Sequence, residues 1–286
     1  MNADRNRILG ITGVILASIM WSTAGFLIKF VNWSPIPIAG IRSLIAALLI
    51  FIYLMCFGKP KFTFSKAQII AACSVCATMF LFVAANKMTA AANAIVLQYT
   101  APIYVALFSF LVLKEKVQPL DWIVIVAVLA GLSMFFMDDM TTGNLIGNLL
   151  GVLSGVTFAT TIVALRYQKD GSPMESTLLG NFMTFLIALP FIGTAPMPDI
   201  KSIIGLIMLG IFQLGFAYIL FANAIKYVTA LEGILFNVVE PICNPIWVFL
   251  LVGEAPSRNA LIGGIIVLTA VTIRSIFPAN KTSASA

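Results

Sequence analysis

Residues 231–254 read LEGILFNVVEPICNPIWVFLLVGE and form one apolar run. The run is long enough to cross a bilayer, for which a helix needs about 20 residues. Glu240 lies near its middle, where insertion scales assign a carboxylate a cost of about 2.5–3.5 kcal/mol. An acid at this depth is therefore a candidate functional residue.

The prolines of the same run add polar backbone groups. Pro241 and Pro245 have no N–H, so the carbonyl groups of Asn237 and Pro241 lose their helical donors. Lipid cannot satisfy a freed carbonyl, which must face protein or a water-filled cavity. Asn237, Glu240 and Asn244 also share one helix face. The pattern predicts a polar stripe at membrane depth.

The composition of the whole chain indicates a membrane protein. Of its 286 residues 60% are hydrophobic and 10% charged, whereas a soluble domain carries about 25% charged residues. Apolar runs of transmembrane length predict an all-α integral membrane protein with ten transmembrane helices. We place these spans 1 to 10 at 8–30, 36–57, 68–86, 90–113, 120–137, 147–167, 175–193, 201–221, 228–252 and 258–277.

The basic residues predict the orientation of these spans. With the N-terminus inside, twelve fall on inner segments: Arg5, Arg7, Lys59, Lys61, Lys66, Lys114, Lys116, Arg166, Lys169, Lys226, Arg274 and Lys281. Five fall on outer ends and loops: Lys29, Arg42, Lys87, Lys201 and Arg258. This positive-inside bias places both termini in the cytoplasm. The net charge of +6 is thus a topology signal, and we expect no nucleic-acid partner.

The chain also contains an internal repeat. At an offset of 139 four pairs of residues coincide: Pro102 with Pro241, Glu115 with Glu254, Ala85 with Ala224, and Lys87 with Lys226. We therefore divide the chain into residues 1–138 and 139–286. Each half has five spans, an odd number, so the second copy enters the bilayer from the opposite face. Inverted repeats of this kind are typical of alternating-access transporters with a site between the halves.

These features resemble a known family. The motif Pro102…Lys114-Glu115, its counterpart Glu240-Pro241…Gly253-Glu254, and a small-residue span 1 ending in Met20-Trp21-Ser22 are similar to the EamA branch of the drug/metabolite transporter superfamily. The resemblance implies a secondary transporter with spans 1–4 and 6–9 around a central cavity and spans 5 and 10 at the periphery. It also implies export of amino acids and related metabolites, while some relatives take up sugars or choline.

The predicted function is thus secondary-active transport of small polar metabolites, with export of amino acids or related amines first. The alternative is uptake or exchange of a cationic solute such as choline or another quaternary amine. Protons are the candidate coupling ion. We expect a monomer or weak homodimer in the bacterial inner membrane.

Other classes of protein fit the sequence poorly. His is absent, and Cys56, Cys73, Cys76 and Cys243 lie in apolar runs, so we predict no metal, cofactor or disulfide. The sequence lacks a G-x-x-x-x-G-K-[ST] loop, which argues against ATP-driven transport. With no paired acids and no nucleophile beside a base, we predict that the chain is not an enzyme.

Glu240 is the leading site residue. Its symmetric position is Ala101, so the repeat itself does not require an acid there. Two roles fit: a counter-charge for an ammonium group of the substrate, or a proton carrier. The competing interpretation is a buried ion pair with Arg42.

The remaining predicted site residues are polar or aromatic groups near the prolines. Gln98 mirrors Asn237, and both could present amides to a ligand or only join helices. Indole and phenol groups at mid-span could line a cavity or only fill space. The predicted binding set is Glu240, Asn237, Asn244, Gln98, Trp21, Tyr99 and Tyr218, with hinges at Pro102 and Pro241 and a cavity lined by spans 1, 3, 4, 6, 8 and 9.

Three further acids are predicted to be structural or peripheral. Glu232 lies two turns before Glu240, where we expect it to reach headgroup water or a vestibule. Glu115 and Glu254 end their spans and are expected to cap a helix or form a pair in a loop.

Overall fold

A computed structural model describes residues 2–58, 60–137, 144–252 and 257–277. Within these ranges every regular element is helical. The prediction of an all-α chain is thus confirmed for this part of the protein.

The described part of the first half contains seven α-helices and one π-helical segment. They are α1 (Asn2–Trp21), α2 (Ala24–Phe30), α3 (Pro35–Phe57), α4 (Lys66–Met88), α5 (Ala91–Gln98), α6 (Ala101–Phe108), the π-helical segment Ser109–Leu113, and α7 (Pro119–Phe135).

The second half has the same kinds of element. They are α8 (Leu145–Tyr167), α9 (Pro173–Thr194), α10 (Ile200–Met208), the π-helical segment Leu209–Phe216, α11 (Ala217–Ala224), α12 (Ala230–Asn237), α13 (Val239–Val252) and α14 (Arg258–Ile276).

Eight helical segments of the described chain are long and apolar enough to cross a membrane. They correspond to predicted spans 1–4, 6–8 and 10. Residues 119–134, in predicted span 5, form a shorter apolar helix, and predicted span 9 consists of the two helices α12 and α13. The chain is thus a multi-pass membrane protein, and the number of ten spans stays a prediction.

Both predicted proline positions coincide with a break in a helix. Tyr99 and Thr100 separate α5 from α6, and Val238 separates α12 from α13. Pro102 and Pro241 lie in the first turn of α6 and α13, where a missing N–H is tolerated. Whether these breaks flex stays a prediction.

A third break was not predicted. It lies between α1 and α2 at Ser22 and Thr23, next to no proline. Their hydroxyl groups donate to the carbonyl oxygens of Ile19 (2.5 Å) and Met20 (2.8 Å). Hydroxyl groups that bond to the backbone in this way offer an alternative to helical hydrogen bonding and bend helices.

Small residues allow the helices to approach closely. A Cβ at Gly180 of α9 would lie 2.6 Å from Cβ of Val75 in α4, and one at Gly131 of α7 would lie 2.7 Å from Val267 of α14. Such contacts are typical of membrane helices, which associate by close packing. The helices α7 and α14, in spans 5 and 10, pack chiefly against each other.

One end of the bundle carries three buried or half-buried ion pairs, and we call it the ion-pair end. The pairs are Arg7–Glu232 at 2.8 Å, Arg166–Glu115 at 3.1 Å and Arg274–Asp121 at 2.5 Å. Arg7 also reaches the carbonyl of Ser275, and Glu115 accepts from the N–H of Ala230. The pairs therefore join the ends of α1, α7, α8, α12 and α14 with the segment after α6.

Two predictions for acids can be judged at this end. The prediction for Glu232 is wrong, because its carboxylate is buried and bonded to Arg7 and to the N–H of Thr229, where it completes a helix-capping box. The pairing predicted for Glu115 is confirmed. Glu254 lies outside the described residues.

The opposite end is held by bonds to carbonyl and hydroxyl oxygens. Lys87 donates to the carbonyl of Val31 at 2.7 Å and Lys29 to that of Thr89 at 3.2 Å. The indole of Trp33 donates to the carbonyl of Pro196 at 3.0 Å. Connections predicted on one face of the membrane thus contact one another.

Candidate functional site

A small cavity of about 40 Å³ lies between helices from both halves of the chain. Its walls come from the six spans predicted to line a cavity, which are spans 1, 3, 4, 6, 8 and 9. Span 2 also contributes, through α3. The lining residues are Trp21, Arg42, Thr78, Met79, Phe82, Gln98, Phe158, Gln213, Leu214, Tyr218 and Glu240.

Glu240 stands in the cavity wall, in the first turn of α13. Its side chain is mostly buried, with the residue 8% exposed. Oε2 lies 2.8 Å from the hydroxyl of Tyr99 and 3.5 Å from Nδ2 of Asn237. Tyr99 belongs to the break between α5 and α6, so the two proline-associated breaks meet at this carboxylate.

The hydroxyl of Tyr99 has two acceptors for one proton. It lies 2.8 Å from Glu240 and also 2.8 Å from the carbonyl oxygen of Asn237, the group that Pro241 deprives of its helical donor. The hydroxyl can donate to an ionised Glu240, whereas a protonated Glu240 can donate to the hydroxyl, which then donates to Asn237. The site can therefore hold Glu240 in either protonation state.

The proposed ion pair between Glu240 and Arg42 is not formed. Arg42 donates to Oε1 of Gln213 and contacts Sδ of Met79, each at 3.4 Å. Across the described residues no Lys or Arg nitrogen lies within 4.0 Å of Glu240. Both charged groups face the same cavity, yet each is held by neutral neighbours.

Comparison with known proteins assigns the chain to a family. A model of the EamA-like transporter family matches the chain twice, over residues 8–137 and 145–276. The chain belongs to the EamA-like transporter family. Residues 138–143, where we divide the two halves, lie outside the described residues, and the division stays a prediction.

Two individual proteins extend this comparison. This EamA-like chain is 24% identical over 267 residues to an uncharacterized transporter of Archaeoglobus fulgidus, covering 92% of this chain and 95% of that protein. It also matches a protein of known crystal structure with a TM-score of 0.79 and 16% identity, covering 97% and 99% of the two chains. The second likeness shows the fold alone. Together with the family match, the first supports a membrane transporter.

Trp21 of this EamA-like transporter both lines the cavity and packs against other rings. Its ring centroid lies 5.1 Å from that of Phe221, 5.4 Å from Tyr218 and 6.1 Å from Phe158. Trp21 ends α1 at the unpredicted break. The two interpretations offered for this indole are thus compatible.

The structure separates the predicted binding set into two layers. Trp21, Gln98, Tyr218 and Glu240 line the cavity. Tyr99 and Asn237 support Glu240: the amide of Asn237 contacts the hydroxyl groups of Ser18 and Tyr99. Asn237 is fully buried beside the cavity rather than among its lining residues, and its place in the predicted binding set stays a prediction. The side chain of Asn244 lies outside what the structure describes.

The predicted set lacks three polar residues of the wall: Thr78, Arg42 and Gln213. Arg42 was placed with the outer ends, yet it is 1% exposed and faces the cavity. Gln213 lies in the π-helical segment Leu209–Phe216, and such segments are frequent at functional sites. The rule that identified Glu240, a polar side chain inside an apolar span, would have found Gln213.

Proposed function

We propose that this EamA-like transporter is a secondary-active carrier that exports amino acids or related amines by alternating access. Glu240 supplies the counter-charge for the ammonium group of the substrate. The observation that carries the proposal is the position of Glu240 in the wall of the central cavity without a cationic partner in the described chain.

The physical reason is the electrostatics of a buried carboxylate. Hydrogen bonds from Tyr99 and Asn237 stabilise a negative charge but leave it uncompensated. In a low-dielectric wall an ammonium group would be attracted far more strongly than in water. The aromatic faces of Trp21 and Tyr218 add favourable contacts for the same cation.

A second candidate is uptake or exchange of a quaternary amine such as choline. The observation in its favour is the aromatic wall beside Glu240, since aromatic cages recognise quaternary ammonium groups. Arg42 in the same cavity would repel a solute that carries only positive charge. We therefore rank it second.

Alternating access would involve two inverted halves that rock about the central cavity. The helix breaks before Pro102 and Pro241 meet at Glu240, which makes them the natural flexing points. Coupling to protons would use Glu240, because its hydrogen bonds suit both protonation states.

We further propose that both termini are cytoplasmic and that the protein resides in the bacterial inner membrane. The ion-pair end would then face the cytoplasm. In a cysteine-free background, Met197→Cys near the opposite end, where Met197 is 96% exposed, should label from outside intact cells. Phe64→Cys, in the connection before α4, should label only after permeabilisation. The reverse pattern would contradict the orientation.

The decisive experiment is Glu240→Gln in proteoliposomes. The flux of labelled amino acids should fall about 10- to 100-fold, as expected for loss of a charge-assisted hydrogen bond. Glu175→Gln is the matched control, because Glu175 is a buried carboxylate bonded to the N–H of Lys61, away from the cavity. Full flux in Glu240→Gln would refute the counter-charge role. Retained binding with lost pH dependence would instead make Glu240 the proton carrier.

A further inference from the structure

Within the described part of the chain, the guanidinium group of Arg42 is buried without an anionic partner. Arg42 is 1% exposed, and a guanidinium has five N–H groups to satisfy. Its two contacts are to neutral atoms, Oε1 of Gln213 and Sδ of Met79, both at 3.4 Å. Its Nε has no hydrogen-bond partner among the described residues. The hydrogen-bonding capacity of this group is thus mostly unused.

Three other arginines of the described chain have the anionic partner that Arg42 lacks. Arg274 is also 1% exposed, yet it bonds to Asp121 and to the carbonyl of Phe277. Arg7 and Arg166 likewise hold a carboxylate. A buried charge without a partner costs several kcal/mol, so an anion that arrives with a ligand would explain why Arg42 is kept free.

Close helix packing fixes Arg42 at the cavity wall. A Cβ at Gly210 would lie 2.4 Å from Cβ of Ile45 and 3.1 Å from the carbonyl oxygen of Arg42. This contact holds α3 directly against the π-helical segment Leu209–Phe216, which presents Gln213 to Arg42. The guanidinium therefore faces the cavity from a rigid support.

We propose that Arg42 binds the carboxylate of a zwitterionic substrate whose ammonium group is held by Glu240. Arg42 and Glu240 are the charged residues among those that line the cavity, so together they match a solute with one charge of each sign. The planar guanidinium can bind a carboxylate through two parallel hydrogen bonds. A single arginine that shares a cavity with a carboxylate suits a monoanion better than a doubly charged phosphate.

Binding of the ammonium group by Glu240 rests on the proposed function, whereas binding of the carboxylate rests on Arg42 alone. The test uses purified full-length protein and the proteinogenic L-amino acids, screened by thermal stabilisation. The strongest binder is then compared with its α-amide, which keeps the ammonium group and lacks the carboxylate. Inorganic phosphate is the second anionic probe.

In wild-type protein the amide should bind about 10- to 100-fold more weakly than the acid, as expected for loss of a charge-assisted pair. Arg42→Gln should abolish the preference for the acid: binding of the acid should weaken, and binding of the amide should strengthen, because the repulsion of a solute with only positive charge is removed. Arg42→Lys should recover part of the difference, because it keeps the charge and loses the planar fork. A purely structural arginine would not alter the acid-to-amide ratio.

Several results would overturn the proposal. They are equal binding of acid and amide by wild type, unchanged acid binding by Arg42→Gln, stabilisation by phosphate alone, or no binding by any amino acid. Transport of amines that depends on Glu240 but not on Arg42 would leave the proposed function intact and refute this inference. Flux that depends on neither residue would refute both.

Discussion

At the ion-pair end of the bundle arginine meets carboxylate, and in the central cavity it does not. Arg7, Arg166 and Arg274 bond to Glu232, Glu115 and Asp121 over distances of 2.5–3.1 Å. Arg42 and Glu240 share one cavity and form no such bond with each other. The same two chemical groups are thus paired in one region and held apart in the other.

This difference distinguishes charged residues that stabilise the fold from charged residues that are free to bind a ligand. A pair such as Arg274–Asp121, with both side chains 1% exposed, satisfies both charges and joins α14 to α7. In the cavity Glu240 accepts hydrogen bonds from Tyr99 and Asn237, which fix its position without neutralising it. Charges arranged in this second way can respond to a ligand.

The largest expected effect is on stability at the ion-pair end. Arg274→Gln should lower the free energy of unfolding by about 3–5 kcal/mol, because it leaves Asp121 buried and unpaired. Arg42→Gln should leave stability unchanged or raise it, because it removes an unpaired charge. Thermal denaturation of both variants in detergent measures the contrast. Equal destabilisation would mean that Arg42 is as structural as Arg274.

The difference between the two regions can also be removed by placing a carboxylate side chain beside Arg42. Gln213→Glu places an acid at the position now 3.4 Å from the Arg42 guanidinium, which makes the cavity resemble the ion-pair end. Affinity for zwitterionic substrates should fall about 10-fold or more, since the ligand must displace an internal anion. Gln213→Met is the matched control without charge. Affinity is measured by thermal stabilisation. If Gln213→Glu bound the substrate as tightly as Gln213→Met and wild type do, the idea would be contradicted.

A smaller effect is expected at the helix breaks beside the cavity. Pro102→Ala and Pro241→Ala restore a backbone donor and stiffen α5–α6 and α12–α13, so transport should slow several-fold with the fold intact. Pro190→Ala in α9 is the control, because Pro190 lies inside a helix that does not line the cavity. Counterflow in proteoliposomes measures the rates. Normal rates in both break variants would make the prolines static features.

The smallest effect concerns a helix cap at the ion-pair end. The hydroxyl of Thr229 accepts from the N–H of Glu232 at 3.1 Å, so Thr229→Ala should destabilise the protein by about 1 kcal/mol. Substrate affinity should not change, since Arg7 still holds Glu232. A shift in affinity measured by thermal stabilisation would show that this end also takes part in binding.

Much of the candidate site followed from position within single helices. The cost of a carboxylate at membrane depth singled out Glu240, and the missing N–H of Pro102 and Pro241 predicted the breaks that bring Tyr99 beside it. The break at Ser22 and Thr23 was not predicted, because serine and threonine occur in straight helices as well as in bent ones. Their positions in the sequence do not show which of the two a helix will be.

What the sequence determined by itself is the membrane environment and the helical class, since these depend on local hydropathy and backbone chemistry. Only the tertiary structure decided which charges meet. Arg7 and Glu232 are 225 residues apart, and Arg42, assigned from its span to an outer end, faces the central cavity. Hydropathy specifies which segments cross the membrane, whereas pairing depends on which helices become neighbours and how each is rotated, and close packing sets both.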